Sequence, residues 1–206
     1  MFHSEYGQDS FVASLLPHRN GVFVEFGALD GILHSNSLYF ERELGWTGLL
    51  IEANPAAYAA LIVNRPRCAA MHAAVYDRIG EVEFEAINGG LFGWSGIASA
   101  IEDQHWQRIA GSVRQADRCR IKVPCMTLDY ALKSAGLREI DYMSIDVEGA
   151  EEAILSVFPF ADYRIRVLQV ENNFGNRDLD ALILANGFRF IRRIGPDYLY
   201  ASELLP

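Results

Sequence analysis

Three acidic segments each follow a short apolar run. EFGALDG (Glu25 to Gly31) closes GVFVEF, Glu52 closes GLLIE, and DVEG (Asp146 to Gly149) closes IDYMSI. Carboxylates gathered at strand ends attract a cation and repel a phosphate. Glycines at both ends of the first segment, Gly27 and Gly31, let the backbone come close to a ligand. A dinucleotide fingerprint would need further glycines at 29 and 32, where this chain has Leu29 and Ile32, so the pyrophosphate motif is absent. Glu25 and Asp30 would also oppose a pyrophosphate. They suit a nucleoside that carries an ammonium and a sulfonium, which is the chemistry of S-adenosylmethionine. Glu52 stands 21 residues beyond Gly31. A carboxylate there can accept both ribose hydroxyls, whereas without the glycine turn upstream it would read as a surface residue.

The third segment lies where a transferred group would be. Asp146 is expected to face it, while Glu148 and Glu151 also fit as negative charges at a helix N-terminus, a reading that suits Glu151 best. The next strand ends in Glu171, Asn172 and Asn173, and neighbouring strand ends lie about 5 Å apart. Asp146, Glu171 and Asn172 are therefore placed to share one divalent cation such as Mg2+ through oxygen ligands. The alternative is that they hydrogen-bond loop backbone.

Apolar periodicity gives the elements that carry these segments. Helices are expected over Gln8 to Leu16, His34 to Leu44, Pro55 to Val63, Thr127 to Ala135, Gly149 to Val157 and Asn176 to Ala185. Asn54 caps the third, with Pro55 at its first position. Strands are expected over Gly21 to Phe26, Gly48 to Glu52, Ala69 to Val75, Gly80 to Ala86, Ile140 to Ile145 and Ile165 to Val170. A closing hairpin is formed by GFRFIRRI and YLYAS. The pattern breaks down between Asn88 and Arg118. Alternating strands and helices predict an α/β fold, with a parallel sheet covered by helices on both faces and made mixed by the hairpin. In such a sheet ligands bind beyond the carboxyl ends of the strands.

The chain of 206 residues suits one domain with a full core. Half its residues are apolar and 22% charged, a globular profile. A net charge of −9 with no run of Lys or Arg argues against nucleic acid as a partner; Arg189, Arg192 and Arg193 fit a solvated sheet edge. Three cysteines without a CxxC pair argue against a disulfide framework and for a reducing, cytoplasmic setting. The opening MFHSEYGQDSF is unlike a signal peptide, and no run of apolar residues suggests a membrane span.

GVFVEFGALDG, SNSLYFERELGWTGLLIEANP, VPCMTLDYAL and IDYMSIDVEGAEEAIL together resemble the FkbM family of S-adenosylmethionine-dependent methyltransferases. The likeness runs from SEYGQDSF to the closing hairpin, and DVEGAE with GALDG and GLLIEANP is far more specific than any one of them. The resemblance implies a Rossmann-like class I methyltransferase fold with a seven-stranded sheet. It implies that Gly27, Ala28, Asp30 and Gly31, with Glu25 beside them, lie near the methionine part of the cofactor and that Glu52 holds its ribose. Ser35, Asn36, Ala74 and Asp77 would line the pocket, and Gln8 and Asp9 would close over it. Members of the family are mostly regarded as O-methyltransferases of natural products, sugars or lipid-linked glycans. Related cation-using sugar methyltransferases carry acidic and amide residues where Asp146, Glu171 and Asn172 stand.

These readings combine into direct displacement, with an acceptor oxygen attacking the sulfonium methyl while a base removes its proton. Asp146 is the first candidate base and His105 the second, with His34 also near. The acceptor, a small molecule, sugar or glycan, would be held by the segment 88–118, where Phe92, Trp94 and Trp106 either form a lid or simply pack the loop. Two other readings compete: a non-catalytic binding module of the same fold, and a dehydrogenase, against which the missing glycines weigh.

Overall fold

A computed structural model describes residues 1–206 except 90, 174 and 206. In chain order its strands are β1 (Val22–Phe26), β2 (Thr47–Glu52), β3 (Ala69–His72), β4 (Ala74–Tyr76), β5 (Gly80–Ile87), β6 (Gly96–Ile97), β7 (Arg118–Thr127), β8 (Glu139–Ile145), β9 (Arg164–Glu171), β10 (Phe188–Ile194) and β11 (Asp197–Ser202). Its helices are α1 (Gln8–Leu15), α2 (Leu38–Leu44), α3 (Pro55–Asn64), α4 (Asp103–Ser112), α5 (Leu128–Ser134), α6 (Glu151–Ser156) and α7 (Arg177–Ala185).

Seven strands form the main sheet in the order β10-β11-β9-β8-β1-β2-β3. Pairings among β3, β2, β1, β8 and β9 are parallel, and β11 runs antiparallel to both β9 and β10. The chain winds outward from β1 to β3 and then returns to lay β8 on the other side of β1. That reversal opens a crevice at the carboxyl ends of β1 and β8, with Phe26 paired to Ile145 at its mouth.

Alternation along the strands feeds two cores. Phe23, Leu50, Tyr142 and Val167 face α1, α2 and α3, packing on Val12, Phe40 and Leu61. Val24, Phe26, Leu49, Ile51 and Met143 face the other way, toward Leu132 of α5, Ile154 of α6 and Ile183 of α7.

A second sheet, β4-β7-β5-β6, packs on that latter face. Ala69 to Val75, which reads as one strand, divides here at Ala73. β3 stays beside β2, and β4 leaves to pair with β7. The half-exposed alternation of β5 is explained by the same sheet, since Val82 and Phe84 face the core. The segment 88–118 contains β6 and the amphipathic α4, which seats Ile109 on Ile87 and Ile101. The helix expected from His34 starts only at Leu38, because Ser35 and Ser37 are drawn down onto Glu25. No described helix is long and apolar enough to cross a membrane.

Candidate functional site

Beyond the carboxyl ends of β1, β2, β8 and β9 lies a cavity of about 360 Å3, a size within the range of small-ligand sites. Gly27 forms its floor at φ 68°, and a Cβ there would meet the Asp146 carbonyl oxygen at 1.9 Å. Only glycine lets β1 and β8 stay this close. Of the four non-glycine residues with positive φ among those described, Leu29, His34 and Glu148 line this cavity. Such conformations cost about 1–3 kcal/mol each and gather at functional sites.

Glu52, 4% exposed, ends β2 in the cavity wall. It accepts hydrogen bonds from the backbone N–H of Leu29 at 2.9 Å and of Asn54 at 2.6 Å. Burial nevertheless dominates and pushes its carboxyl up to about 7. A ligand that donates hydroxyls would favour the ionised form. Asn36 also reaches the cavity. Its Nδ2 donates to Ser144 Oγ at 3.0 Å, while its buried Oδ1 has no hydrogen-bond partner. A buried carbonyl oxygen left bare calls for a donor, and an ammonium supplies one.

Glu25 acts beneath the surface of the site. It accepts from Ser35 Oγ at 3.1 Å, Asn36 N at 2.7 Å and Ser37 Oγ, and so fixes the segment that presents Asn36. Arg65, 1% exposed, holds the same segment from behind through Glu41, Ser35, Ser37 and the Gly31 carbonyl. A Cβ on Gly31 would lie 2.6 Å from Arg65 Cγ, so this glycine serves packing. Ala28 is buried, its N–H on the Ile51 carbonyl, and Asp30 caps its own turn through Ile32 N and Leu33 N. Ala74 lines the cavity, whereas Asp77 pairs with Arg78 outside it. Gln8 reaches the cavity and donates to Asp197; Asp9 instead binds His3 N and Ser4, tethering the N-terminal segment.

Asp146, Glu148 and Glu171 meet at the opposite wall, each offering one oxygen within 4.8 Å of the others. Burial first, then the Asp197 and Glu151 carboxylates, push the Asp146 carboxyl well up; a hydrogen bond with Glu171 offsets part of this. Glu148 and Glu171 are raised mainly by burial and then by Asp146. Three hard oxygen donors suit a divalent cation. The Oδ1 of Asn172 accepts from Asn176 N at 2.6 Å and its Nδ2 donates to the Asn176 carbonyl, closing the turn before α7. Glu148 joins the two carboxylates because its left-handed backbone, φ 59°, lets it stand beside Asp146 instead of capping α6. Glu151 does the helix-end work, accepting from Val147 N and Gly149 N.

His105 stands behind Glu148 and does not line the large cavity. It borders a smaller one of about 120 Å3 with Glu102, Glu148, Glu151 and Glu171. Phe92 and Trp94 line the large cavity, whereas Trp106 packs under Arg118 and Arg120. Sequence reasoning missed several lining residues. Glu5 and Tyr6 arrive because Ser4 bridges to His34, Asp197 because the hairpin turn folds back beside β9, and Arg108 from α4. The helical spacing of His105, Arg108 and Ile109 was the available signal for the last.

The family model for the methyltransferase FkbM domain matches residues 25–194. A search of curated proteins finds no match. Among solved structures, a precorrin-6y C5,15-methyltransferase from Geobacter metallireducens superposes with a TM-score of 0.51 at 11% identity, over 94% of this chain and 86% of that one. A TehB-like SAM-dependent methyltransferase from Corynebacterium glutamicum gives 0.49 at 9% identity, over 97% and 89%. TrmK of M. capricolum in complex with S-adenosyl-homocysteine gives 0.44 at 10%, over 93% and 66%. With the matched span covering most of the sequence, the chain belongs to the FkbM family of S-adenosylmethionine-dependent methyltransferases.

Proposed function

We propose that this protein moves the methyl group of S-adenosylmethionine to a hydroxyl of a small molecule, sugar or glycan. The observation that carries the reading is the opposition of two acidic walls across one cavity, with Glu52 on one side and Asp146 with Glu148 and Glu171 on the other. When bound, the cofactor supplies an electrophilic methyl on a sulfonium. Glu52 accepts the ribose hydroxyls, Asn36 Oδ1 accepts from the ammonium, and the Gly27 floor admits the methionine chain. Ile51, Val75, Phe84 and Ile97 give the apolar lining that suits a purine.

An alcohol must lose a proton as its oxygen is alkylated. Asp146, its affinity for protons raised by burial and neighbouring carboxylates, receives that proton. His105 makes no approach to the large cavity and is not assigned this step. If Asp146 and Glu171 instead held a divalent cation such as Mg2+, the cation would acidify the hydroxyl and the proton would pass to solvent, with Asp146 a ligand and not the base. Phe92 and Trp94 exclude water from a reaction in which charge is lost. Arg108, beside Trp94 at 4.8 Å, is the cation that the described lining offers to an anionic group on the acceptor.

The test is transfer of labelled methyl from S-adenosylmethionine to hydroxylated sugars, amines and RNA compared side by side. Label recovered as a methyl ether supports the reading. Label recovered only on nitrogen or RNA overturns the acceptor class, and no transfer to any acceptor with intact cofactor binding favours a non-catalytic module.

A further inference from the structure

The cofactor reading leaves one end of the large cavity unassigned. In the sheet order β11-β9-β8-β1-β2, Glu52 ends β2 and Asp146 follows β8, so the ribose falls on the β2 side and the methyl near the centre. β11 lies four strand spacings from β2, about 19 Å away. At that far end the wall includes Tyr6 and Asp197, the first residue of β11.

Both residues are held in place. The hairpin turn is pinned to the end of β9 by the Asn172 N–H, which donates to the Pro196 carbonyl at 3.1 Å. Asp197, 3% exposed, accepts from Gln8 Nε2 at 2.6 Å on one oxygen and from Gln169 Nε2 at 3.0 Å on the other. Gln169 is fixed in turn by the Tyr142 hydroxyl, which donates to its Oε1. Tyr6 packs on Gly195, where a Cβ would come within 2.7 Å of the ring, and Asp9 anchors the segment that carries it. Tyr6 nevertheless stays 53% exposed, which leaves ring surface free at the cavity.

A carboxylate oxygen can accept two hydrogen bonds, and each oxygen of Asp197 has one side-chain donor. One lone pair on each oxygen is left, and an apolar acceptor would bury both without a partner. Two hydroxyls on adjacent carbons of a ring supply donors in the bidentate manner that a carboxylate favours. The C–H face of the same ring suits the amphipathic surface of a tyrosine. We propose that Asp197 and Tyr6 form the acceptor subsite and that the acceptor is a polyhydroxylated ring of the pyranose class. Gln8 and Gln169 are positioning residues that aim the carboxylate. This rests on the methyl-transfer reading above and narrows its acceptor.

The experiment uses full-length protein saturated with S-adenosylhomocysteine and measures saturation transfer by nuclear magnetic resonance to methyl glucopyranoside, methyl mannopyranoside, cyclohexanol and cyclohexylamine. Binding of at least one pyranoside in preference to cyclohexanol and cyclohexylamine is expected. Asp197→Asn turns an NH2 toward one of the two amide donors and should weaken that binding by about tenfold to a hundredfold. Tyr6→Ala should weaken it at least about threefold, and S-adenosylhomocysteine affinity should be unchanged in both variants. Should Asp197→Asn fail to fold, Tyr6→Ala, at an exposed side chain, decides. No pyranoside binding, a preference for cyclohexanol or cyclohexylamine, undiminished binding in either folded variant, or a variant that loses S-adenosylhomocysteine affinity overturns the proposal. Failure of the wild-type protein to bind S-adenosylhomocysteine would instead count against the cofactor reading.

Discussion

Substituting Glu52 by glutamine tests the cofactor grip with numbers taken from its surroundings. The carboxyl is buried and pushed up to about 7, above its ordinary value of 4.5. Because the folded-state value is raised, the protonated form favours folding. That contribution is fully present below about 4.5 and is lost as pH rises through about 7. Its size is about 3 kcal/mol at 1.36 kcal/mol per unit. Ribose hydroxyls need the ionised acceptor, so cofactor binding should run the opposite way. At pH 5 only about 1% of Glu52 is ionised, and S-adenosylhomocysteine should bind about a hundredfold more weakly than at pH 9 for this residue alone. Glutamine keeps the volume but removes the charge and sets an NH2 against the Leu29 or Asn54 N–H. Losing charge-assisted hydrogen bonds worth about 1.5–3 kcal/mol should weaken binding at pH 8 by roughly tenfold to a hundredfold and flatten the pH dependence. Calorimetric titration of both proteins between pH 5 and pH 9 reads both effects. Equal slopes in wild type and E52Q would refute the role given to this carboxylate.

Gly27→Ala should destroy the site, since its Cβ would occupy the space of the Asp146 carbonyl; unaltered S-adenosylhomocysteine affinity would contradict the close approach of β1 and β8. Arg65→Met strips Glu41 of its buried partner and should cost about 3–5 kcal/mol, a Tm fall of roughly 6–20 °C in a thermal melt. Asp9→Ala should release the segment that brings Glu5 and Tyr6 to the cavity, seen as faster amide exchange over residues 1–7. Asp146→Asn should lower kcat by about 10²–10⁴ while S-adenosylhomocysteine still binds; unchanged turnover would remove Asp146 from the reaction.

The sheet was legible because its signal is local. GVFVEF, GLLIE and IDYMSI are buried on both faces and read as apolar runs, and Asn54-Pro55 marks a helix start that the structure caps as expected. The second sheet was not legible. Ala69 to Val75 carries no local mark of the switch at Ala73, where β4 leaves for a partner, β7, that lies about fifty residues on. The helix α4 was hidden by a polar sequence whose buried face rests mainly on His105 and Ile109.

Within the site, Gly27, Glu52, Asp146 and Glu171 were readable from strand-end position, Asn36 and Ala74 came only from the family resemblance, and all six line the cavity. Asp30 and Asp77 were not distinguishable from them by type, but a short carboxylate in a turn satisfies its own backbone or a neighbouring arginine instead. Glu148 converges on Asp146 and Glu171 because of a left-handed backbone that no residue type announces.

The central claim is that acidic strand tips grip a cationic nucleoside, and a crystal structure of the protein with S-adenosylhomocysteine tests it most directly. Density for the ribose with both hydroxyls within hydrogen-bond distance of Glu52, and for the amino group against Asn36 Oδ1, is the predicted result. Density for the nucleoside elsewhere, or a cavity left empty at saturating ligand, would contradict it.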